Sequence, residues 1–166
     1  MSQEKPQLKL EDHFSFACHK GLDCYTSCCR DVNIFLTPND VLRLKKALGM
    51  TSTEFLHKYT DLVVVTGRHL PLIQLKMDEN NDKKCFFVRE HGCLYYADRP
   101  WACRMFPLDE RPDGGFTVVA DPKKCHGLEK GDDWQVKEWL KDQGSIQSKE
   151  ADGSYDGLTG HHLLRN

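Results

Sequence analysis

Eight cysteines in a chain of 166 residues, unevenly placed, constrain this sequence more than any other feature. Cys18, Cys24, Cys28 and Cys29 fall within twelve residues, and Cys85, Cys93, Cys103 and Cys125 follow a cysteine-free stretch from residue 30 to residue 84. Four thiols in so short a segment repel one another as thiolates, oxidise, or share a ligand. The chain is long enough to bury its own core, so a disulfide framework is not needed to hold it together. The opening Met1-Ser2-Gln3-Glu4-Lys5-Pro6 lacks the apolar run of a secretory signal, which predicts a cytoplasmic protein in a reducing compartment. There, clustered cysteines bind metals or do redox chemistry.

Thiolate sulfur suits zinc and iron–sulfur clusters, whereas hard cations prefer oxygen. The first group reads C-x5-C-x3-C-C and lacks the C-x2-C knuckle that grips a single tetrahedral ion. Side chains of adjacent residues such as Cys28 and Cys29 diverge, which suits a larger cluster or two neighbouring metals. The second group, C-x7-C-x9-C-x21-C, converges only in a folded domain. Two arrangements follow: each group builds its own four-thiolate site, or Cys28 and Cys29 point to opposite sides and link the groups. The second is favoured. Arg30, Lys84, Arg104 and Lys124 each adjoin a cysteine, against Asp23 alone among the acids, and cations there offset thiolate charge. Arg99 and Arg104 are expected to support Cys103 in this way.

Other chemistry is weaker. His19 and His126 adjoin cysteines but lack paired ligand spacing, and His161-His162 sits in a polar C-terminal stretch. No phosphate-binding, dinucleotide, zinc-protease or serine-hydrolase motif is present, so no catalytic residue is assigned. The net charge of −2 gives no attraction for nucleic acid or anionic lipid, and no window is long and apolar enough for a membrane span.

Local patterns predict an α+β fold: a small single domain with an αα-hairpin, a short antiparallel sheet and cysteine-rich loops around a metal site. Thr37-Pro38-Asn39-Asp40 and Thr51-Ser52-Thr53-Glu54 start two helices between about Thr37 and Thr60. Strands are expected at Val32–Leu36, at Leu62–Val65 and Leu70–Met77 joined at Thr66-Gly67-Arg68, and at Cys85–Val88, Cys93–Tyr96 and Phe116–Val119. Arg99–Pro107 reads as a short helical turn, Asp113-Gly114-Gly115 as a hairpin turn, and the segment from Phe14 to Arg30 as a loop. Asp132-Asp133 is expected to open a last helix, Trp134 to Gln143. Residues 1–12 and 144–166 read as flexible tails around a cysteine-cluster domain at 13–143.

The pieces Phe16-x-Cys18, Cys24, Cys28-Cys29, Leu36-Thr37-Pro38-x-Asp40, Cys85-Phe86-Phe87, Gly92-Cys93-x-Tyr95, Arg99-Pro100-x-x-Cys103-Arg104-x-Phe106-Pro107 and Cys125 resemble the YkgJ-type cysteine-cluster proteins, a family of zinc- or iron-chelating domains. That family opens C-x2-C-x2-C-C, and this chain has longer spacings at Cys18 and Cys24. The resemblance implies a metal-binding domain in which all eight cysteines have counterparts. Together the residues point first to an iron–sulfur cluster, of the four-iron, four-sulfur kind, acting in electron transfer with a protein redox partner or as accessory to a client enzyme. The rival is a structural zinc module that presents an interaction surface; a metalloenzyme in its own right is the third reading.

Overall fold

The computed structural model of the chain describes residues 6–66 and 70–159, with 154–159 as helical backbone. In chain order its elements begin with β1 (His13–Phe16), β2 (Phe35–Leu36), α1 (Pro38–Ala47), α2 (Ser52–Tyr59), β3 (Thr60–Val63), β4 (Leu72–Leu75), β5 (Met77–Asp78) and β6 (Lys84–Cys85). They continue with β7 (Val88–Arg89), β8 (Gly92–Cys93), α3 (Trp101–Met105), β9 (Leu108–Glu110), β10 (Phe116–Val118), β11 (Asp132–Gln135), α4 (Val136–Asp142) and α5 (Ser145–Thr159). Helices with short antiparallel strand pairs make this an α+β chain, as expected. Among the described residues no helix is long and apolar enough to cross a membrane.

The stretch read as one domain divides into two compact units. One gathers the chain up to Cys28 together with Arg104–Ser145, and the other gathers Cys29–Cys103 with the chain from Ile146 onward. Two of the three breaks fall at a cysteine, one between Cys28 and Cys29 and one after Cys103.

In the Cys29–Cys103 unit the helical hairpin forms as predicted. Thr37 Oγ1 accepts the Asp40 N–H at 3.1 Å while Asp40 Oδ2 accepts the Thr37 N–H at 3.1 Å, a reciprocal capping box with Pro38 in the first turn. Thr51 and Glu54 repeat the device on α2, with the Thr51 N–H donating to Glu54 Oε2 at 2.8 Å. Gly49, at φ +65°, turns the chain between them, a backbone angle that a residue with a Cβ rarely takes. The hairpin packs Leu44 and Phe55 onto a three-stranded sheet of order β2-β4-β3, in which Leu36 and Leu62 both face Ile73. Phe55 has no solvent exposure, and burying such a side chain stabilises by about 1.5–3 kcal/mol.

The start of α1 also anchors two distant segments. Asp40 is wholly buried, and its Oδ1 accepts from Arg43 Nη2 at 2.6 Å and from the backbone N–H of Trp101, the first residue of α3, at 3.0 Å. Arg43 Nη2 also donates to Ser148 Oγ at 3.2 Å, and Asp152 Oδ1 accepts the Asn39 N–H at 3.0 Å. The polar stretch from residue 144, read as a flexible tail, therefore contains helix α5, with Ser148 and Asp152 buried against α1. It has few apolar residues because its attachment is polar: it supplies acceptors to the orphan donors of a helix start. His161 and His162 lie outside the described residues, as do Gly67 and Arg68 of the expected β3–β4 turn.

In the other unit, two expectations are corrected. The start of the segment read as a loop is strand β1, with Phe14 and Phe16 buried and His13 and Ser15 exposed, the alternation of a half-buried strand. It pairs antiparallel with β11, setting Phe14 opposite Trp134 and Phe16 opposite Asp132. Asp132-Asp133 is thus strand rather than helix start, and α4 begins only at Val136. Cross-strand pairing and aromatic packing override the local cap signal: Trp139 meets Phe16 at 5.3 Å and Trp134 at 5.2 Å, edge to face. Gly127 lies so close to the Ala17 carbonyl that a Cβ there would overlap it, which brings the loop after Cys125 against the residue before Cys18.

Replacing Asp40 with alanine strands Arg43 and unties α1 from α3, so the denaturation free energy of the chain should fall by about 3–5 kcal/mol. Truncation after Gln143 should lower the thermal midpoint measurably, because it removes Ser148 and Asp152 from the first turns of α1; an unchanged midpoint in a calorimetric scan would show that α5 contributes nothing.

Candidate metal centre

From Phe16 the chain leaves β1 and reaches Cys18, then winds through successive turns, with Leu22 N–H bonded to His19 O at 3.1 Å and Ser27 N–H to Cys24 O at 2.9 Å. Leu22 is buried and pins this excursion from within, while Cys18 and Cys28 stay exposed. Thr26 takes φ 66°, a left-handed angle that is uncommon for a β-branched residue and costs about 1–3 kcal/mol. A 3-10 turn over Ser27–Cys29 follows. Opposite, a turn over Asp121 presents Cys125, whose N–H bonds Asp121 O at 2.8 Å.

These four thiols feel one another. The Cys18 thiol is pushed up to about 11 by desolvation and then by Cys28, Cys125 and Cys24 in turn. The Cys18 residue is nonetheless exposed, so the neighbouring thiols are the part of that shift that bears on the site. Burial raises Cys125 as well, with Cys24 and Cys28 adding to it, while backbone N–H groups of Gly127 and Leu128 bond its sulfur and pull the other way. Cys18, Cys24, Cys28 and Cys125 form one group, all within the first unit.

Cys29 belongs to the other unit. Asp31, at φ 47°, turns the chain after it, and the Arg30–Lys84 bridge with Asp31 N–H on Lys83 O at 2.9 Å lays this segment beside the strand that carries Cys85. Cys29, Cys93 and Cys103 pack against the same apolar cluster that contains Cys85. The Cys103 thiol, on α3, is pushed up to about 12 by desolvation, then by Cys85, Cys93 and Asp40, with Arg99 opposing. Desolvation likewise raises Cys85 and Cys93. Arg99 fills the supporting role expected of it: it is buried, its guanidinium stacks 3.9 Å over the Tyr96 ring, and its charge favours the thiolates of Cys93 and Cys103. Arg104 braces the end of α4, donating from Nη1 to Gln143 O at 2.9 Å.

Three of the sulfurs share one kind of backbone partner. Cys85 sulfur accepts the N–H of Phe87, Cys93 that of Tyr95, and Cys125 that of Gly127, the residue two positions on each time. The chain turns at each of these sulfurs, which is why the strands predicted at Cys85–Val88 and Cys93–Tyr96 stop early, at Cys85 and Cys93. The repeated C-F-F, C-L-Y and C-H-G triplets were the available signal, but only backbone geometry shows the bond. An N–H aimed at sulfur stabilises a thiolate, the form that binds metal.

The cysteines thus sort as Cys18, Cys24, Cys28 and Cys125 in one unit and Cys29, Cys85, Cys93 and Cys103 in the other, with members of both sequence groups in each. The adjacent pair Cys28-Cys29 divides between them. Among the described residues, no three His, Cys, Asp or Glu side chains stand close enough to hold a single ion without moving. The donor set is nevertheless consistent in kind: thiols alone, several with N–H partners, beside one buried guanidinium. That chemistry fits zinc or iron bound by sulfur.

A family model described as CxxCxxCC, putative zinc- or iron-chelating domain, matches residues 17–131. No curated protein and no solved structure matches the chain. The family match spans more than half of the sequence and takes in every cysteine, and on that ground the chain belongs to the CxxCxxCC family of zinc- or iron-chelating domains.

Proposed function

We propose that this domain is an iron–sulfur protein with two four-thiol sites, one made by Cys18, Cys24, Cys28 and Cys125 and the other by Cys29, Cys85, Cys93 and Cys103, serving electron transfer or supporting a partner enzyme in the cytoplasm. The observation that carries this reading is the sorting of the cysteines into two groups, Cys18, Cys24, Cys28 and Cys125 interacting with one another, and Cys85, Cys93 and Cys103 interacting with one another while Cys29 packs against the same apolar cluster. An iron–sulfur cluster, four-iron and four-sulfur in this reading, would supply one-electron redox chemistry. The chain's own residues do the rest. Backbone N–H groups of Phe87, Tyr95 and Gly127 stabilise the thiolates, and Arg99 offsets charge at Cys93 and Cys103. The second reading is structural zinc, favoured by the all-thiolate sets of four, which match the closed coordination of structural zinc sites.

Anaerobic purification with iron, sulfide and zinc assays decides between them. Iron with equivalent acid-labile sulfide and a brown colour supports the cluster; colourless protein containing zinc alone replaces it with the zinc reading. Cys28→Ser and Cys29→Ser should each lower bound metal by about half, since each belongs to a different site, and each should destabilise the fold.

The metal-free chain carries its own test. Its Cys85, Cys93 and Cys103 thiols, raised by burial, hold protons more tightly folded than unfolded, so this contribution to stability is fully present below the ordinary thiol value of 9.0 and is lost as pH rises, through about 12 for Cys103. The denaturation midpoint of metal-free protein should fall as pH is raised above 9.0, and Cys103→Ser should flatten that fall. A midpoint that rises over this range would contradict the burial of these thiols.

A further inference from the structure

The two thiol groups differ in their surroundings. Cys85, only 8% exposed, belongs to a hydrophobic core with Leu44, Phe55, Phe87 and Val88, and Cys29, Cys93 and Cys103 are half-buried against it. Aromatic rings pack in and against the same cluster, Tyr59 meeting Phe86 and Phe87 at 5.7 and 5.2 Å and Phe87 meeting Tyr95 at 5.5 Å. A ligand could reach the Cys85 sulfur only by opening the core that stabilises the unit. In the other group, Cys18 and Cys28 are exposed and Cys24 and Cys125 half-buried, on turns whose neighbours His19, Lys20, Asp23, Lys123 and Lys124 all face solvent. Their sulfurs can be reached without disturbing the β1–β11 pair or the Trp139 cluster beneath.

We propose that the two sites divide their tasks: the Cys29, Cys85, Cys93 and Cys103 group keeps its metal as a permanent part of the core, while the Cys18, Cys24, Cys28 and Cys125 group exchanges metal with thiol ligands in solution. This rests on reading the thiols as ligands. Exchange is a substitution: the incoming thiol gives up its proton and forms a sulfur–metal bond, the displaced protein thiolate takes up a proton, and no electron is transferred. Exposed sulfurs allow it because the entering ligand and the proton both come from water. The loop is suited to repeated release, since its turns are closed by local hydrogen bonds such as Tyr25 N–H to Leu22 O at 2.9 Å, which do not depend on the ligand.

The test uses the protein as purified under nitrogen, with its metal counted. It is mixed with excess glutathione and a coloured chelator, metal release is followed in time, and samples are alkylated with iodoacetamide and mapped by peptide mass spectrometry. Release should occur in two phases. The first should carry half of the metal, expose Cys18, Cys24, Cys28 and Cys125 to label, and leave the circular dichroism unchanged. The second should coincide with unfolding and label Cys29, Cys85, Cys93 and Cys103. Cys125→Ser, made on the exposed side, should remove the fast phase and keep the slow one. Release in a single phase, label at Cys85 in the fast phase, or loss of all metal from Cys125→Ser would overturn the division while leaving metal binding intact. Protein that purifies with no metal would overturn the metal reading and the division with it.

Discussion

Asp40 is a carboxylate without solvent contact, and the Cys29–Cys103 unit is arranged around satisfying it. A buried charge is costly unless paired and hydrogen-bonded. Here the Thr37 N–H, the Arg43 guanidinium and the Trp101 N–H share the task. Each donor belongs to a piece of chain that must then be held in place. Thr37 fixes the start of α1, Arg43 reaches on to the Arg99 carbonyl and Ser148, and Trp101 opens the short helix that carries Cys103. The same carboxylate lifts the Cys103 thiol, so the anchor is felt at the candidate ligand as well. This explains why T-P-x-D and R-P-x-x-C occur together in one sequence although about sixty residues apart: one carboxylate closes both.

The thiols pose the opposite electrostatic problem. Desolvation raises Cys18, Cys85, Cys93, Cys103 and Cys125, and neighbouring thiols raise Cys18, Cys85, Cys103 and Cys125 further. A protein that merely filled space with cysteines would have no reason to direct backbone N–H groups at their sulfurs. Phe87, Tyr95, Gly127 and Leu128 do so, and Arg99 adds a buried cation. These groups favour the charged form that bare burial opposes. The balance is that of sites whose missing charge is supplied by a metal.

Between the two groups the backbone does the sorting. Thr26 and Asp31, neither of them glycine, take left-handed angles on either side of Ser27-Cys28-Cys29-Arg30. Strain of this kind persists where surrounding structure imposes it and collects at functional sites. Its effect here is to end one winding of the chain at Cys28 and begin another course at Cys29, each within its own compact unit.

The sequence by itself determined whatever depends on a few neighbouring residues. The capping boxes at Thr37 and Thr51, the Asp113-Gly114-Gly115 turn, the short helix after Pro100 and the soft-metal character of an all-cysteine donor set were legible because each is decided within about four residues or by side-chain chemistry alone. Divergence of adjacent side chains even favoured the separation of Cys28 from Cys29. The tertiary structure decided everything in which distant partners compete with local preference. Asp132-Asp133 looks like a helix start and becomes a strand because Phe16 and Ser15 of β1 pair with it. Residues after Gly144 look too polar to pack and form α5 because their polar atoms are what α1 lacks. Which thiol joins which group was hidden for the same reason: Cys125 reaches Cys18 through the close contact of Gly127 with Ala17, and Cys29 reaches Cys85 through the Arg30–Lys84 bridge, contacts that span 110 and 54 positions of sequence (127 − 17 and 84 − 30) and leave no local trace.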